Sequence, residues 1–272
     1  ARWLSDPAFG VAVSGAGEGT IRMDGRSIAL PDVTAIHWYA VGGYRPHAPA
    51  SAEAAAYLAT EAESAVGSLL RNLNAPLWVN PPHTIEEHRY KWRQVDRMRQ
   101  AGVRVPDTLV TNDADALRAF WDKHGGRVIT KPFYQGIRVF RIAPEHLQPG
   151  TIETLLQYPG FFQEYVEGVD LRVHGVGEAL FTSEVHAEGE NYKTAPFEPI
   201  AADTPDSLRA DCLRVMRALD LVLAGIDLRR TADGKYVFLE ANPSPQFLVF
   251  EEKNSYPISD TLVSVLSGAS GL

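Results

Sequence analysis

One cysteine, Cys212, stands in 272 residues, which excludes an internal disulfide. No Cys/His cluster at zinc-ligand spacing is present either, so the chain is neither a disulfide scaffold nor a zinc finger, and a reducing cytoplasm suits it. On the apolar face of a helix, Cys212 reads as core packing. Long apolar runs are also missing. None nears the roughly 18–20 residues that span a bilayer, and no signal-peptide pattern opens the chain, so no membrane partner is expected. Positive charge is scarce, 26 Lys and Arg against 34 Asp and Glu for a formal net charge of -8, which disfavours general attraction to nucleic acid. Repeats and low-complexity tracts do not occur. What is there, 45% hydrophobic and 22% charged residues, describes an ordinary globular protein, and its length predicts two or three packed lobes. The chain opens at Ala1 and not at methionine, which leaves room for an N-terminal lobe lacking its first strand and helix.

Short β-like runs at residues 10–14, 20–29 and 33–39 are separated by glycine and aspartate. Over 51–73, Leu58, Ala62, Val66, Leu69 and Leu73 recur at helical spacing behind a Ser51 cap. Leu77-Trp78-Val79 reads as a strand stopped by Pro81 and Pro82. Thr84 with Glu87 has the form of a capping box and predicts one helix that carries Lys91 and Trp92 and ends before Gly102. A second helix is capped by Asp113 and ends at Gly125-Gly126. Strand 128–131, turn 132–136 and strand 137–142 follow, then three strands at 161–166, 171–176 and 178–185. A helix over 204–219, with Thr204 as cap, buries Leu208, Cys212, Val215 and Leu219. Residues 221–228 and 235–241 make a hairpin around Asp233-Gly234.

Alternate side chains of a strand share a face, so Glu240 and Asn242 project together and the hairpin can bring Asp227 beside them. Three oxygen donors suit Mg²⁺, which completes its octahedron with water and nucleotide phosphates. A carboxylate within an apolar strand is costly unless it is paired or metal-bound. Gly225-Ile226-Asp227 with Phe238-Leu239-Glu240-Ala241-Asn242-Pro243 resembles the C-terminal metal-binding hairpin of ATP-grasp carboxylate-amine ligases.

That resemblance implies an α/β (α+β) ATP-grasp fold with the nucleotide held between two α/β lobes, and ATP and Mg²⁺ as cofactors. It divides the chain into an N-terminal lobe at 1–83, a central lobe with the nucleotide lid at 84–166, and a C-terminal lobe with the metal site at 167–272. Lys91 and Lys131 would meet the phosphates, whose charge calls for ammonium groups in a shielded cleft. The stretch from Phe162 to Arg172 resembles the family's inter-lobe segment. There the backbone beside Glu164 and Val166 would read adenine, Gln163 would lie near its amino group, and Asp170 would accept from the ribose hydroxyls. Arg172 and Lys193 would be the catalytic cations at the transferring phosphoryl and acyl phosphate. Phe133-Tyr134-Gln135-Gly136 falls where the family has a glycine-rich flap, here with one glycine.

Within the superfamily the chain is similar to the graspetide (microviridin-type) peptide-modifying synthetases, from about Val33 to the C-terminus. Trp78-Val79-Asn80-Pro81-Pro82, the run from Val105 to Asn112, and the run from Asn242 to Phe247 carry this likeness. Two departures bear on peptide recognition. Trp38-Tyr39 is not followed directly by two arginines, and Pro245-Gln246-Phe247 replaces a Gly-Gln-Trp pattern. His174 and His186, on predicted strands, read as structural. The resemblance implies a ligase working through an acyl phosphate on a peptide or amino-acid carboxylate, without nucleic acid or membrane, and compatible with a homodimer. The alternatives are an amino-acid or small-molecule ligase, a small-molecule kinase of the same fold, and a non-catalytic nucleotide-binding module.

Overall fold

The computed structural model describes residues 10–14, 18–23, 25–38, 51–71, 73, 77–88, 90–133, 139–187 and 197–269. The chain forms two compact units, Ala1–Pro82 with Leu266–Ala269, and His83–Val265. In the first, β1 (Gly10–Val13), β2 (Gly19–Met23) and β3 (Arg26–Ala29) form an antiparallel meander. The predicted run 20–29 is thus two strands, because Gly25 at φ +72 adopts the left-handed backbone a tight reversal needs. A parallel pair, β4 (Ala35–His37) and β5 (Leu77–Val79), is joined through α1 (Ala52–Arg71). Ser51 is the cap of α1 as predicted, its Oγ accepting the Ala54 N–H at 3.0 Å.

The second unit, from His83, takes up α2 (Pro82–Glu87) after its first residue and continues with α3 (Lys91–Gln100), where one helix was predicted. Pro82 starts α2, which puts Thr84 inside the helix instead of at its cap. The Glu87 carboxylate bonds Arg93 and Arg97, and the break at His88 is filled by Gln94, whose Nε2 donates to the His88 carbonyl at 3.1 Å. The rest of the unit is β6 (Thr108–Thr111), α4 (Ala114–Lys123), β7 (Val128–Lys131), β8 (Phe140–Arg141), α5 (Ile152–Leu155), β9 (Gly160–Glu164), β10 (Val169–Val176), β11 (Ala179–Ala187), β12 (Phe197–Ala202), α6 (Asp206–Ala218), β13 (Leu223–Arg230), β14 (Tyr236–Asn242), α7 (Leu248–Asn254) and α8 (Ile258–Leu266). Asp113 caps α4 as predicted, its Oδ1 accepting from Asp115 and Ala116 N–H. Thr204 is not the cap of α6. Pro205 takes that place, and Thr204 Oγ1 bonds Thr182 Oγ1 at 2.7 Å instead.

Two antiparallel sheets result, ordered β6-β9-β7-β8 and β12-β11-β10-β13-β14. Against the first, Leu117 and Phe120 of α4 pack on Val128, Ile142, Ile152 and Phe162. Against the second, Leu208, Cys212, Val215 and Met216 of α6 pack on Leu171, Val173, Ile226, Leu228, Phe238 and Ala241. Each large apolar side chain so buried contributes about 1.5–3 kcal/mol. Because Leu171 and Val173 face α6, the period-two rule turns Asp170, Arg172 and His174 to the opposite face. Helix α7 covers part of that face, with the Phe250 ring edge-on to His174 at 4.6 Å between centroids and Asn254 Nδ2 bonded to Ser183 Oγ at 2.9 Å. Among the described residues no helix is long and apolar enough to cross a membrane.

Candidate functional site

The register across β10, β13 and β14 sets Arg172 opposite Asp227 and Asp227 opposite Glu240, so these three form a transverse row. One step along the same face, His174 lies opposite Gly225 and Gly225 opposite Asn242. The three oxygen donors expected from the sequence, Asp227, Glu240 and Asn242, are therefore neighbours on one sheet face. A bulge makes this so. Leu228 pairs with Phe238 while Asp227 pairs with Glu240, which leaves Leu239 as an extra residue. Without it, Glu240 would share a face with Phe238, which belongs to the α6 core.

Arg172 and Asp227 form a buried ion pair, 6% and 5% exposed, with Nη1 donating to Oδ1 at 2.7 Å. Gly225 makes room for the guanidinium, since a Cβ there would stand 2.2 Å from Nη2 and 2.5 Å from Cζ. On its other side, Arg172 Nε donates to His174 Nε2 at 3.4 Å. An arginine Nε can only donate, so His174 Nε2 is the unprotonated nitrogen. Burial pushes the His174 pKa down to about 3, with the Arg172 charge adding to the shift and Asp227 and the Gln246 backbone opposing it. The ring is neutral and a poor general base, in keeping with the structural role read for it. His186 is exposed beside Glu184.

Lys91, the first residue of α3, donates from Nζ to the Pro132 carbonyl at 2.7 Å, next to Lys131 at the end of β7. Asp170 feels the charge of Lys131 and is held by Arg229, whose Nε reaches Oδ1 at 2.9 Å and whose Nη2 bonds the same oxygen. Burial still raises the Asp170 pKa, an effect that Arg229 opposes. Arg229 Nη1 also binds the Val166 carbonyl at 2.9 Å, and the Tyr165 ring has the Arg141 and Arg229 guanidinium carbons 4.0 and 5.4 Å from its centroid. Sequence reasoning passed over Arg229, although it shares the face of Asp227 two residues along β13.

Gln163 is 1% exposed, with Nε2 donating to Thr108 Oγ1 at 3.0 Å and Oε1 buried without a hydrogen bond. Such an orphaned acceptor suits the exocyclic amine of adenine. The Glu164 N–H is taken by the Asp107 carbonyl at 3.0 Å, and its carboxylate lies 3.4 Å from His124 Nδ1. Lys193 and flap residues 134–136 lie outside the described residues. Among those described, no three His, Cys, Asp or Glu side chains could hold a metal alone. Two carboxylates and an amide oxygen nonetheless fit Mg²⁺, which draws its other ligands from phosphate and water.

A family model for the RimK-like ATP-grasp domain matches residues 88–266. A comparison with curated protein sequences gives no match. Among solved structures, the macrocyclase MdnC of Microcystis aeruginosa MRC, bound with precursor peptide MdnA, is similar at 22% identity and TM-score 0.82, over 99% of this chain and 89% of that one. The ATP-grasp ligase PsnB, complexed with a phosphomimetic variant of its minimal precursor, Mg and ADP, is similar at 25% identity and TM-score 0.80, over 97% and 88%. A RiPP-associated ATP-grasp ligase of Chryseobacterium gregarium, in complex with ADP and a leader and core peptide, follows at 16% identity and TM-score 0.81, over 97% and 85%. The fold is that of the ATP-grasp ligases, and with more than half of its length matched by the family model, the chain belongs to the RimK-like ATP-grasp family.

Proposed function

We propose that this protein is an ATP- and Mg²⁺-dependent ligase that activates a carboxylate as an acyl phosphate and joins it to a hydroxyl or amine in a ribosomally made peptide. The observation that carries this reading is the row Arg172–Asp227–Glu240 with Asn242 one step along the same face. The peptide as substrate rests on likeness to MdnC, PsnB and the Chryseobacterium enzyme, each solved with a precursor or leader and core peptide. The cofactors rest on the donor set, the Gln163 acceptor and the Mg and ADP of the PsnB complex.

Asp227, Glu240 and Asn242 hold Mg²⁺, which when bound neutralises charge on the transferring phosphoryl. Gln163 and the backbone at Glu164 and Val166 receive adenine, and Asp170, steadied by Arg229, receives the ribose. Lys91 and Lys131 meet the inner phosphates, and Arg172 and Lys193 the transferring group. A substrate carboxylate oxygen bonds to the γ-phosphorus as ADP leaves. The acceptor oxygen or nitrogen then bonds to the acyl carbon, phosphate leaves, and the acceptor proton passes to phosphate or solvent. No residue forms a covalent intermediate. The lobes at 84–166 and 167–272 hold the nucleotide between them, and the lone thiol Cys212 suits a cytoplasmic setting.

Incubation with ATP, Mg²⁺ and a peptide library rich in Glu, Asp, Ser, Thr and Lys tests this. A ligase yields ADP, phosphate and a product one water lighter than its reactants, whereas a kinase product gains phosphate. If Glu240→Ala and Asn242→Ala leave ADP formation undiminished in folded protein, the metal site is wrong.

A further inference from the structure

β14 is the edge strand of its sheet, and an edge strand carries outward backbone groups with no neighbouring strand to hold them. Between Glu240 and Asn242 stands Ala241, fully buried, and its outward groups meet a side chain from α3. The Ala241 N–H donates to Gln94 Oε1 at 3.1 Å, and Gln94 Nε2 donates to the Ala241 carbonyl at 3.3 Å. One carboxamide thus stands in for a neighbouring strand at a single residue. The Ala241 N–H can only donate, which fixes the orientation of the amide. Gln94 Nε2 also lies 2.6 Å from His88 Nδ1, so its two hydrogens are shared among that nitrogen, the His88 carbonyl and the Ala241 carbonyl. Gln94 is itself 5% exposed and held at both ends.

We infer that Gln94 is a positioning residue for Mg²⁺: it locks the edge of β14 so that Glu240 and Asn242 project at a fixed spacing. This rests on the metal-site reading proposed above. The bulge at Leu239 makes such a lock necessary, because it interrupts the β13–β14 ladder two residues before Ala241. Another outward anchor of β14 is the Phe238 N–H, bonded to the Arg104 carbonyl at 2.8 Å on the far side of that bulge. Gln94 also lies three residues after Lys91 on α3, so one helix face ties the metal-binding strand to the end of β7 through Lys91 and Pro132.

Gln94→Met keeps the unbranched chain and removes the amide, and Gln94→Asn keeps the amide one methylene short. Two readouts apply to the folded protein: hydrogen exchange at the Ala241 amide without nucleotide, and the Mg²⁺ concentration needed for half-maximal binding of a non-hydrolysable ATP analogue by calorimetry. In Gln94→Met, exchange at Ala241 speeds up and the Mg²⁺ requirement rises, each by about tenfold, the loss expected for a hydrogen bond to a buried group. Analogue binding without Mg²⁺ stays unchanged, and Gln94→Asn falls between. Should Gln94→Met prove unfolded by thermal melt, Gln94→Asn alone decides. An unaltered Mg²⁺ requirement in a folded variant overturns the positioning role. Glu240→Gln, run in parallel, separates the two levels. If it raises the Mg²⁺ requirement and the Gln94 variants do not, only the positioning role falls, and if it too changes nothing, the metal site falls and the role of Gln94 with it.

Discussion

Gly225→Ala is the smallest change that tests how the buried cation is seated. A methyl at 225 would stand 2.2 Å from Arg172 Nη2, 2.5 Å from Cζ and 2.7 Å from Pro245 Cβ, all inside van der Waals contact. Proline cannot swing away, so the guanidinium must move, and moving it takes Nη1 off Asp227 Oδ1. Breaking a buried ion pair on one side costs roughly 3–5 kcal/mol, because the other charge keeps its desolvation penalty. Equilibrium urea unfolding of Gly225→Ala should show a loss of that size, and nucleotide-dependent ADP formation should fall with it. The cause is isolated by a double-mutant cycle with Arg172→Met, which removes the clashing group. In that background Gly225→Ala should add only the Pro245 contact, giving a coupling energy of about 2 kcal/mol or more. Additivity within about 0.5 kcal/mol would show that the glycine is not there for Arg172.

His174 should make stability depend on pH. Its folded pKa near 3 lies below the ordinary 6.5, so the unfolded chain binds more protons and stability falls as pH drops from about 6.5 towards 3. Between pH ~7 and ~5 the loss is about 2 kcal/mol, and His174→Gln should remove it. Equal pH slopes of the urea midpoints in the two proteins would refute a buried neutral ring. Arg229→Ala takes the partner from Asp170 and from the Val166 carbonyl and should weaken binding of an ATP analogue by about tenfold or more, measured by calorimetry. An unaltered affinity would remove Arg229 from the nucleotide site. Cys212 is fully buried and its thiol is pushed up to about 12 by burial, so a maleimide at neutral pH should label it only at the rate of unfolding. Rapid labelling of the native protein would contradict that packing.

Features set by neighbours along the chain were legible in the sequence. Ser51 and Asp113 cap their helices because a short oxygen side chain reaches N–H groups two or three residues on, whatever the rest of the fold does. The β13–β14 hairpin follows from two apolar runs and an Asp-Gly turn. Where local signals competed, the tertiary structure chose. Thr84 and Glu87 have the capping-box form, yet Pro82 starts the helix earlier and Arg93 and Arg97 claim the carboxylate. β12 carries Pro199, which cannot donate to a ladder, a fault tolerated at the edge of the sheet where β12 lies.

The sequence by itself supplied the candidates: oxygen donors, lysines and the strands that carry them. Only the tertiary structure decided how the site is held. The bulge at Leu239, the space at Gly225 that admits Arg172, the pairing of Arg229 with Asp170 and the grip of Gln94 on Ala241 all join residues on different elements. Such contacts depend on distances between segments far apart in the chain, and no local propensity or periodicity encodes them.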